Sequence, residues 1–323
     1  MANDFQPALG AREKLIIIDA PAVMHRAWHA LPKLTDPKGR VVSAVYGFAS
    51  LLLKLWREQR PQYLVVTLDT KEPTFRHQAY KEYKAGRVKQ PQEFYDQFSI
   101  LKDLLKAFGI KYLERPGFEA DDLIGSVATQ SPMMNLIVTG DLDTLQLINP
   151  NTEVYFLHKG LSDLQVYNEE AVMNRFGLKP EQLIDFKALR GDPSDNISGV
   201  KGIGEKTALA LIQKFGSLEK VYQHLEQCSD KKCEIKDSLR DLLLANKDKA
   251  FFDKHLVTIK KDLGEIGVAE DYHLRGINQQ EAINALQGLG FNSLVKRLEN
   301  GDKPLASARR KKLPPPEQQK SLF

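Results

Sequence analysis

Cysteine is scarce. Cys228 and Cys233 are the only two in 323 residues, too few for a disulfide framework and without a second pair to complete a zinc site. A reducing cytoplasm is therefore the expected compartment, and both thiols are expected to be incidental. Long apolar runs are lacking as well. The N-terminus, MANDFQPALGAREKLIIIDA, reaches only four consecutive apolar residues before an acid, far short of a signal segment or a spanning helix, so no membrane association is expected. Nor is there a strong excess of one charge. The 46 Lys and Arg against 42 Asp and Glu leave +4, which permits a polyanionic partner without demanding one. With 42% hydrophobic and 27% charged residues, the chain can bury a core as one large or two modest domains.

What the chain does have is acids at the ends of apolar runs. Leu15 to Ile18 closes on Asp19, Tyr63 to Leu68 closes on Asp69, and Leu136 to Thr139 leads through Gly140 to Asp141 and Asp143. A short run, Ile110 to Leu113, leads to Glu119, which is followed by Asp121 and Asp122 and by a helical repeat at Leu123, Ile124, Val127 and Ala128. Helical patterns at Phe48, Leu51, Leu52 and Leu55 and at Phe94, Phe98, Leu101, Leu105 and Phe108 separate these strand-like runs. Strands alternating with helices predict an α/β fold with a mostly parallel central sheet flanked by helices. Acids in a first helical turn also simply complement the macrodipole. The second acidic pair beyond a strand favours a shared site, because ligands of open α/β sheets collect outside the carboxyl ends of the strands.

Between Asp69 and the Phe94 helix, Lys71, Arg76, Lys81, Lys84, Arg87 and Lys89 outnumber Glu72 and Glu82, with Phe75, Tyr80 and Tyr83 interleaved. A charge run is commonly a solvated face. Here it follows a site acid directly, and basic residues mixed with aromatics suit a single strand with stackable bases. Further on, a helical pattern from Glu181 to Leu189 stops in a loop holding Asp192 and Asp195. Then comes Gly199, Val200, Lys201, Gly202, Ile203 and Gly204, followed by a helix opening with Lys206 and Thr207. Helix, glycine hairpin and helix together predict a helix-hairpin-helix, which holds one nucleic-acid strand through backbone contacts regardless of sequence. Residues 217–262 read as Lys-rich helices and Gln279 to Leu298 as another amphipathic stretch. The expected division is a lead-in at 1–14, an α/β core at 15–179 with a basic arch at about 71–92, a helical region at 180–300, and a disordered tail at 301–323.

The segments IIIDAPAVMHRAWHALP, FRHQAYKEYKAGR, GFEADDLIGSVA, VTGDLDTLQL and ALRGDPSDNISGVKGIGEKTA together resemble the 5′ nuclease domain of bacterial DNA polymerase I, a branch of the flap endonuclease family with a PIN-like sheet. The likeness runs from about Leu15 to Leu298. It departs at Ala20, Pro21 and Ala22, where the family usually has Gly and a small polar residue after the first Asp. The resemblance implies that Asp69, Glu119, Asp121 and Asp122, with Asp19 alongside, surround one metal ion. Asp141, Asp143, Asp192 and Asp195 would surround a second ion or its water shell. Carboxylates that dense could not all stay ionised without cations, and hard oxygen ligands point to Mg²⁺ or Mn²⁺ rather than zinc.

By the same resemblance, Arg26, Arg76, Lys84 and Arg87 act at the scissile phosphate and along the arch, with Lys84, fifteen residues after Asp69, carrying transition-state charge. Tyr83 either stacks on a base or packs on its neighbours. A K⁺ ion would be held by hairpin carbonyls near Gly199 to Ile203. The implied function is a 5′-3′ exonuclease and 5′-flap endonuclease that works by two metal ions in RNA primer removal, replication and repair. It would be a monomer in the cytoplasm at the bacterial nucleoid, acting on branched or 5′-ended DNA and RNA-DNA junctions. No polymerase domain follows residue 300, so a separate polymerase and ligase are expected to act on the product. A catalytically silent binder of branched DNA would lack some of the acids. A small PIN-type ribonuclease would lack the hairpin and most of the arch. Finally, Gln319, Leu322 and Phe323 form a Q-x-x-L-F ending that resembles the peptide by which bacterial replication enzymes bind the sliding clamp.

Overall fold

A computed structural model of the chain describes residues 13–161, 163–228, 234–267, 269–274 and 278–299. The tail with Gln319, Leu322 and Phe323 lies outside the described residues, as does Cys233. Six strands form one sheet: β1 (Lys14–Asp19), β2 (Tyr63–Thr67), β3 (Lys111–Leu113), β4 (Met134–Thr139), β5 (Thr152–Lys159) and β6 (Asp163–Tyr167). Their order is β3-β2-β1-β4-β5-β6. All neighbours are parallel except β5 and β6. The apolar runs are continuous because the central strands are covered on both faces: all of β2 and all but the first residue of β1 and of β4 are buried.

Among the described residues, fourteen α-helices accompany the sheet. The first six are α1 (Ala20–Ala30), α2 (Ser43–Gln59), α3 (Phe75–Ala79), α4 (Gln92–Tyr95), α5 (Gln97–Ala107) and α6 (Ala120–Gln130). Then follow α7 (Glu169–Phe176), α8 (Gln182–Arg190), α9 (Glu205–Phe215), α10 (Leu218–Gln227), α11 (Asp237–Ala245), α12 (Lys247–Val257), α13 (Gln279–Gly288) and α14 (Asn292–Glu299). Alternate residues of each strand serve opposite cores. Leu15, Ile17, Val65 and Ile137 pack with α6 and with α8 to α10, whereas Ile16, Ile18, Leu64 and Val138 pack with α1, α2 and α5.

The helical region expected at 180–300 is split between these two faces. Its last two helices cross over and pack on α2 and α5, with Leu274 N–H donating to Gln62 O at 2.8 Å and Arg297 Nη1 donating to Ser50 Oγ at 2.8 Å.

Residues 256–260, the end of α12 and the three residues after it, cross the first turns of α6. Gly125 marks the contact: a Cβ there would lie 2.7 Å from Ile259 Cγ2 and 2.7 Å from Lys260 O. Glycine inside a helix costs about 1 kcal/mol relative to alanine, so propensity alone favours replacing it. Packing outweighs propensity, because the obstructing carbonyl is backbone and cannot rotate away. Gly125→Ala should destabilise the fold by about 1–3 kcal/mol, read as a lower urea midpoint with an unchanged slope. A rise in the midpoint would mean that the crossing segment yields.

Candidate active site

Asp19 ends β1 and caps α1 at once, accepting from Ala22 N–H at 3.0 Å and from Thr139 Oγ1 at 2.5 Å. Thr139 also accepts from Asp141 N–H at 3.0 Å, so one hydroxyl at the end of β4 sets both acids. Asp69, at the exposed rim, accepts from Ala120 N–H at 2.7 Å. That bond ties the end of β2 to the start of α6, where Glu119 and Asp121 stand. The acids perturb one another in an unbroken string. Burial, with Asp141 and Asp69 adding like charge, pushes Asp19 up to about 7 against the hydrogen bonds from Thr139 and Ala22. Burial and then Asp19 and Asp141 hold Asp121 well above the usual carboxylate range.

The second group continues the string. Asp143 is pushed up to about 7 by burial, against the pull of Lys187 and with the charges of Asp141, Asp192 and Asp195. Lys187, which sequence reasoning missed, reaches from α8 to both Asp143 and Asp192, the latter at 2.8 Å. Burial raises Asp192, but Lys187 and the bonds from Ser194 outweigh it and bring the group down to about 2. The ammonium is correspondingly held far above its ordinary range, since Asp143 and Asp192 outweigh its burial. The only hint in the sequence was a lysine five residues before Asp192 on a predicted helix.

Two residues expected at the reaction centre are occupied elsewhere. Asp122 is fully buried and was expected as a metal ligand. Its Oδ2 accepts from Arg76 Nη1 at 2.7 Å and from Glu119 N–H at 3.1 Å. Its Oδ1 accepts from Arg76 Nη2 at 2.8 Å and from Lys260 N–H at 2.9 Å. Four donors fill the lone pairs of one carboxylate, so Asp122 has none left for a cation. Arg76, expected as catalytic, is 3% exposed. Besides Asp122, its fork serves Glu119 Oε2 at 3.4 Å and the carbonyls of Leu256 and Thr258 at 2.8 and 2.9 Å. The guanidinium is consumed by the fold and presents no free face to a phosphate.

Tyr83 does not present its ring to a base. It is 3% exposed and donates its hydroxyl to Asp195 Oδ2 at 2.9 Å and Glu119 Oε2 at 3.2 Å. Lys84 beside it reaches Glu119 Oε1 at 2.8 Å. Burial lowers its affinity for a proton, but Glu119 and Asp195 outweigh that and hold the ammonium above its ordinary range. Its backbone is left-handed, φ +56°, a cost of about 1–3 kcal/mol for a non-glycine residue. Asp195 O secures it by accepting from Lys84 N–H at 3.0 Å. Arg87 lies half-exposed with Nη2 2.5 Å from Asp195 Oδ1, Lys81 is exposed, and Arg26 reaches His158 O at 3.4 Å while its guanidinium borders Gly140.

In the glycine hairpin, Val200 and Ile203 are core residues and were expected to bind DNA. Their amides are spent as well, on Leu189 O and Val200 O, each at 2.9 Å, which makes them scaffold. Gly199 has φ +65°, and a Cβ there would fall onto the backbone of Arg190 and Gly191. Gly202, Gly204, Lys201 and Lys206 are exposed and Thr207 half-buried. A strand backbone could therefore approach Gly204 and the first turn of α9, where amides lack helical partners.

Residues 14–177 match the family model described as the N-terminal resolvase-like domain of 5′-3′ exonucleases, and residues 178–280 match its C-terminal SAM fold. The chain belongs to the 5′-3′ exonuclease family. DNA polymerase I of Bacillus subtilis is 40% identical over 291 residues, covering 89% of this chain and 32% of the relative. Thermostable DNA polymerase I of Thermus thermophilus is 38% identical over 315 residues, covering 96% and 36%. The chain thus spans about a third of the length of the curated relatives it matches. Among solved structures, a bacteriophage T5 flap endonuclease in a pseudo-enzyme-product complex with DNA and metal ions has a TM-score of 0.63 at 19% identity, covering 90% of this chain and 98% of its own. The catalytic core of Rad2 with DNA substrate has a TM-score of 0.60 at 17% identity, covering 90% and 93%.

The donor set in this family member suits hard divalent cations. It is all oxygen, and burial, with like charges adding to it, holds three of its carboxyls above their ordinary range. Among the described residues no three acids converge on one point; Lys187 bridges Asp143 and Asp192, while Lys84 is paired with Glu119 and Arg87 with Asp195, so these cations must give way when an ion enters. Folded pKa values of about 7 for Asp19 and Asp143 against 3.8 unfolded mean that their contribution to stability is fully present below 3.8 and is lost as pH rises to about 7. Mg²⁺ binding at pH 6 should accordingly release protons, and the release should shrink as pH rises above about 7. Calorimetry in buffers of different ionisation enthalpy measures it, and no release at pH 6 would contradict the string of coupled acids.

Adjacent acids should also part company on mutation. Asp122→Asn strands a buried guanidinium and should cost about 3–5 kcal/mol of stability. Asp121→Asn relieves like-charge crowding and should leave the melting temperature of the metal-free protein unchanged or higher. Equal losses in the two variants would put both acids in the same role.

Proposed function

We propose that the chain is a structure-specific 5′ nuclease that hydrolyses phosphodiesters of branched or 5′-ended DNA and of RNA-DNA junctions, as an exonuclease and as a flap endonuclease. The observation that carries this reading is the coupled string from Asp69 through Asp19, Asp121 and Asp141 to Asp143, with the cations of the arch poised over it. Asp19, Asp69, Glu119 and Asp121 would hold one Mg²⁺ or Mn²⁺, and Asp141, Asp143, Asp192 and Asp195 a second. When bound, such ions supply a hydroxide nucleophile at neutral pH and stabilise the leaving oxygen.

The chain's own residues do the rest. Lys84 exchanges Glu119 for the phosphate and neutralises charge as it develops there. Arg87 and Arg26 flank the phosphate path, and Tyr83 holds Glu119 and Asp195 in position through its hydroxyl. Gly202 and Gly204 admit the duplex backbone, with K⁺ at the hairpin carbonyls as a bridge to phosphate. The relatives' polymerase name and the DNA in the T5 and Rad2 structures support a place in primer removal and repair, ahead of a polymerase and a ligase. Gln319, Leu322 and Phe323 would tether the nuclease to a sliding clamp and raise its effective concentration on loaded DNA.

A labelled 5′-flap substrate separates chemistry from grip. Asp143→Asn should abolish cleavage in Mg²⁺ while binding of branched DNA persists, because positioning rests on phosphate contacts elsewhere. Lys84→Ala should slow single-turnover cleavage on the order of 10²–10³-fold and change affinity by less than about tenfold. Near-normal cleavage by Asp143→Asn would refute the metal assignment. A Lys84→Ala variant defective only in binding would move Lys84 from chemistry to grip.

A further inference from the structure

Outside the carboxylate string, α1 carries a pair of imidazoles that the proposed nuclease chemistry does not use. His25 and His29 stand one helical turn apart, so both project from the same face, and both are exposed. Their Nε2 atoms are 3.3 Å apart while the ring centroids are 4.5 Å apart, so the rings converge through the same nitrogen. Two nitrogens at ~2.0–2.1 Å from a tetrahedral zinc are themselves about 3.3 Å apart. The pair already has the bite of a chelate.

Gln90, at the end of the basic arch, brings its side-chain amide within 3.4 Å of His25 Nε2. Amide oxygen and nitrogen exchange by a half-turn, which would present Oε1 as a third donor. Phe94 abuts the His25 ring edge-on at 6.0 Å and limits its rotation. Partial desolvation lowers the affinity of His25 for a proton, and the charges of His29, Arg87 and Arg26 lower it further, which favours the neutral ring that offers a lone pair. The same two arginines oppose a cation. Arg87, however, is already paired with Asp195 and half-exposed, which screens it.

We propose that His25 and His29, with Gln90, form a second cation site for a borderline transition ion such as Zn²⁺ or Ni²⁺, separate from the hard-ion carboxylate site and linking α1 to the end of the arch. Imidazole nitrogen selects such ions over Mg²⁺. No further His, Cys, Asp or Glu among the described residues joins the pair, so water fills the remaining coordination.

The test is calorimetric titration of Zn²⁺ into the full chain in saturating Mg²⁺, which keeps the carboxylates occupied. One Zn²⁺ should bind to the wild type and equally to Asp141→Asn. His25→Ala and His29→Ala should each weaken it on the order of a hundredfold, since either removes the chelate. Cys228 Sγ lies 3.2 Å from His224 Nε2 and is the competing soft pair, so Cys228→Ser should retain full affinity. Unchanged binding in the two histidine variants overturns the proposal, as does its loss in Cys228→Ser or in Asp141→Asn. Flap cleavage by His25→Ala in Mg²⁺ alone reports on the nuclease reading independently of the zinc measurement.

Discussion

The buried pair of Arg76 and Asp122 is the constraint on which the site depends. An isolated charge of either sign in that position would be prohibitive, and an ion pair removed from water is favourable only when every remaining donor and acceptor is satisfied. Here each is. Asp122 closes the first turn of α6 through Glu119 N–H, and Arg76 draws α3 against the carbonyls of Leu256 and Thr258. Three segments far apart in sequence are thereby locked at the place where Glu119 and Asp121 must point outward. The charge that looks most like chemistry in the sequence is spent on holding chemistry in place.

A second constraint follows from crowding. Acids within mutual Coulomb range cannot all ionise in a partly buried edge without counter-charge. The structure meets this in two ways, by raising the proton affinity of Asp19, Asp121 and Asp143 and by threading Lys84, Lys187 and Arg87 among them. Both are provisional from the standpoint of a hard divalent ion, which displaces a proton or a lysine more readily than it could displace the full fork of Arg76. The site is therefore stable when empty of ions and still receptive to them.

How much of this was legible in the sequence depends on what each residue is asked to do. The parallel strands β1, β2 and β4 announce themselves because double-sided burial demands uninterrupted apolar residues. β5 and β6 escaped notice: β6 is half-buried except at Tyr167, so its pattern is mixed. The acids at the strand ends were readable because chain direction alone carries them to one sheet edge. Asp121 and Asp122 were not separable, since neighbours on a helix point about 100° apart and only the packing decides which one faces inward. Tyr83 and Arg76 sat correctly within a basic, aromatic stretch, yet composition is blind to burial. Lys187 offered only its place on a predicted helix five residues before Asp192, which does not say that its side chain turns back to the acids.

The crossing segment at 256–260 buries the side chains of Leu256, Val257 and Ile259, and all of its hydrogen bonds to α3, α6 and Gln146 are made by its main chain. The carbonyls of Leu256, Val257 and Thr258 accept from Arg76 and Gln146, and the amides of Ile259 and Lys260 donate to Gln146 and Asp122. Lys260 O lies against Gly125. Bonds made by backbone are indifferent to side-chain identity but not to register. Exchanging one aliphatic residue for another at 256, 257 or 259 preserves every one of them, whereas inserting or deleting a single residue shifts donors and acceptors past their partners together. In this stretch a lineage would be obliged to keep the length as strictly as the apolar character of the three buried positions.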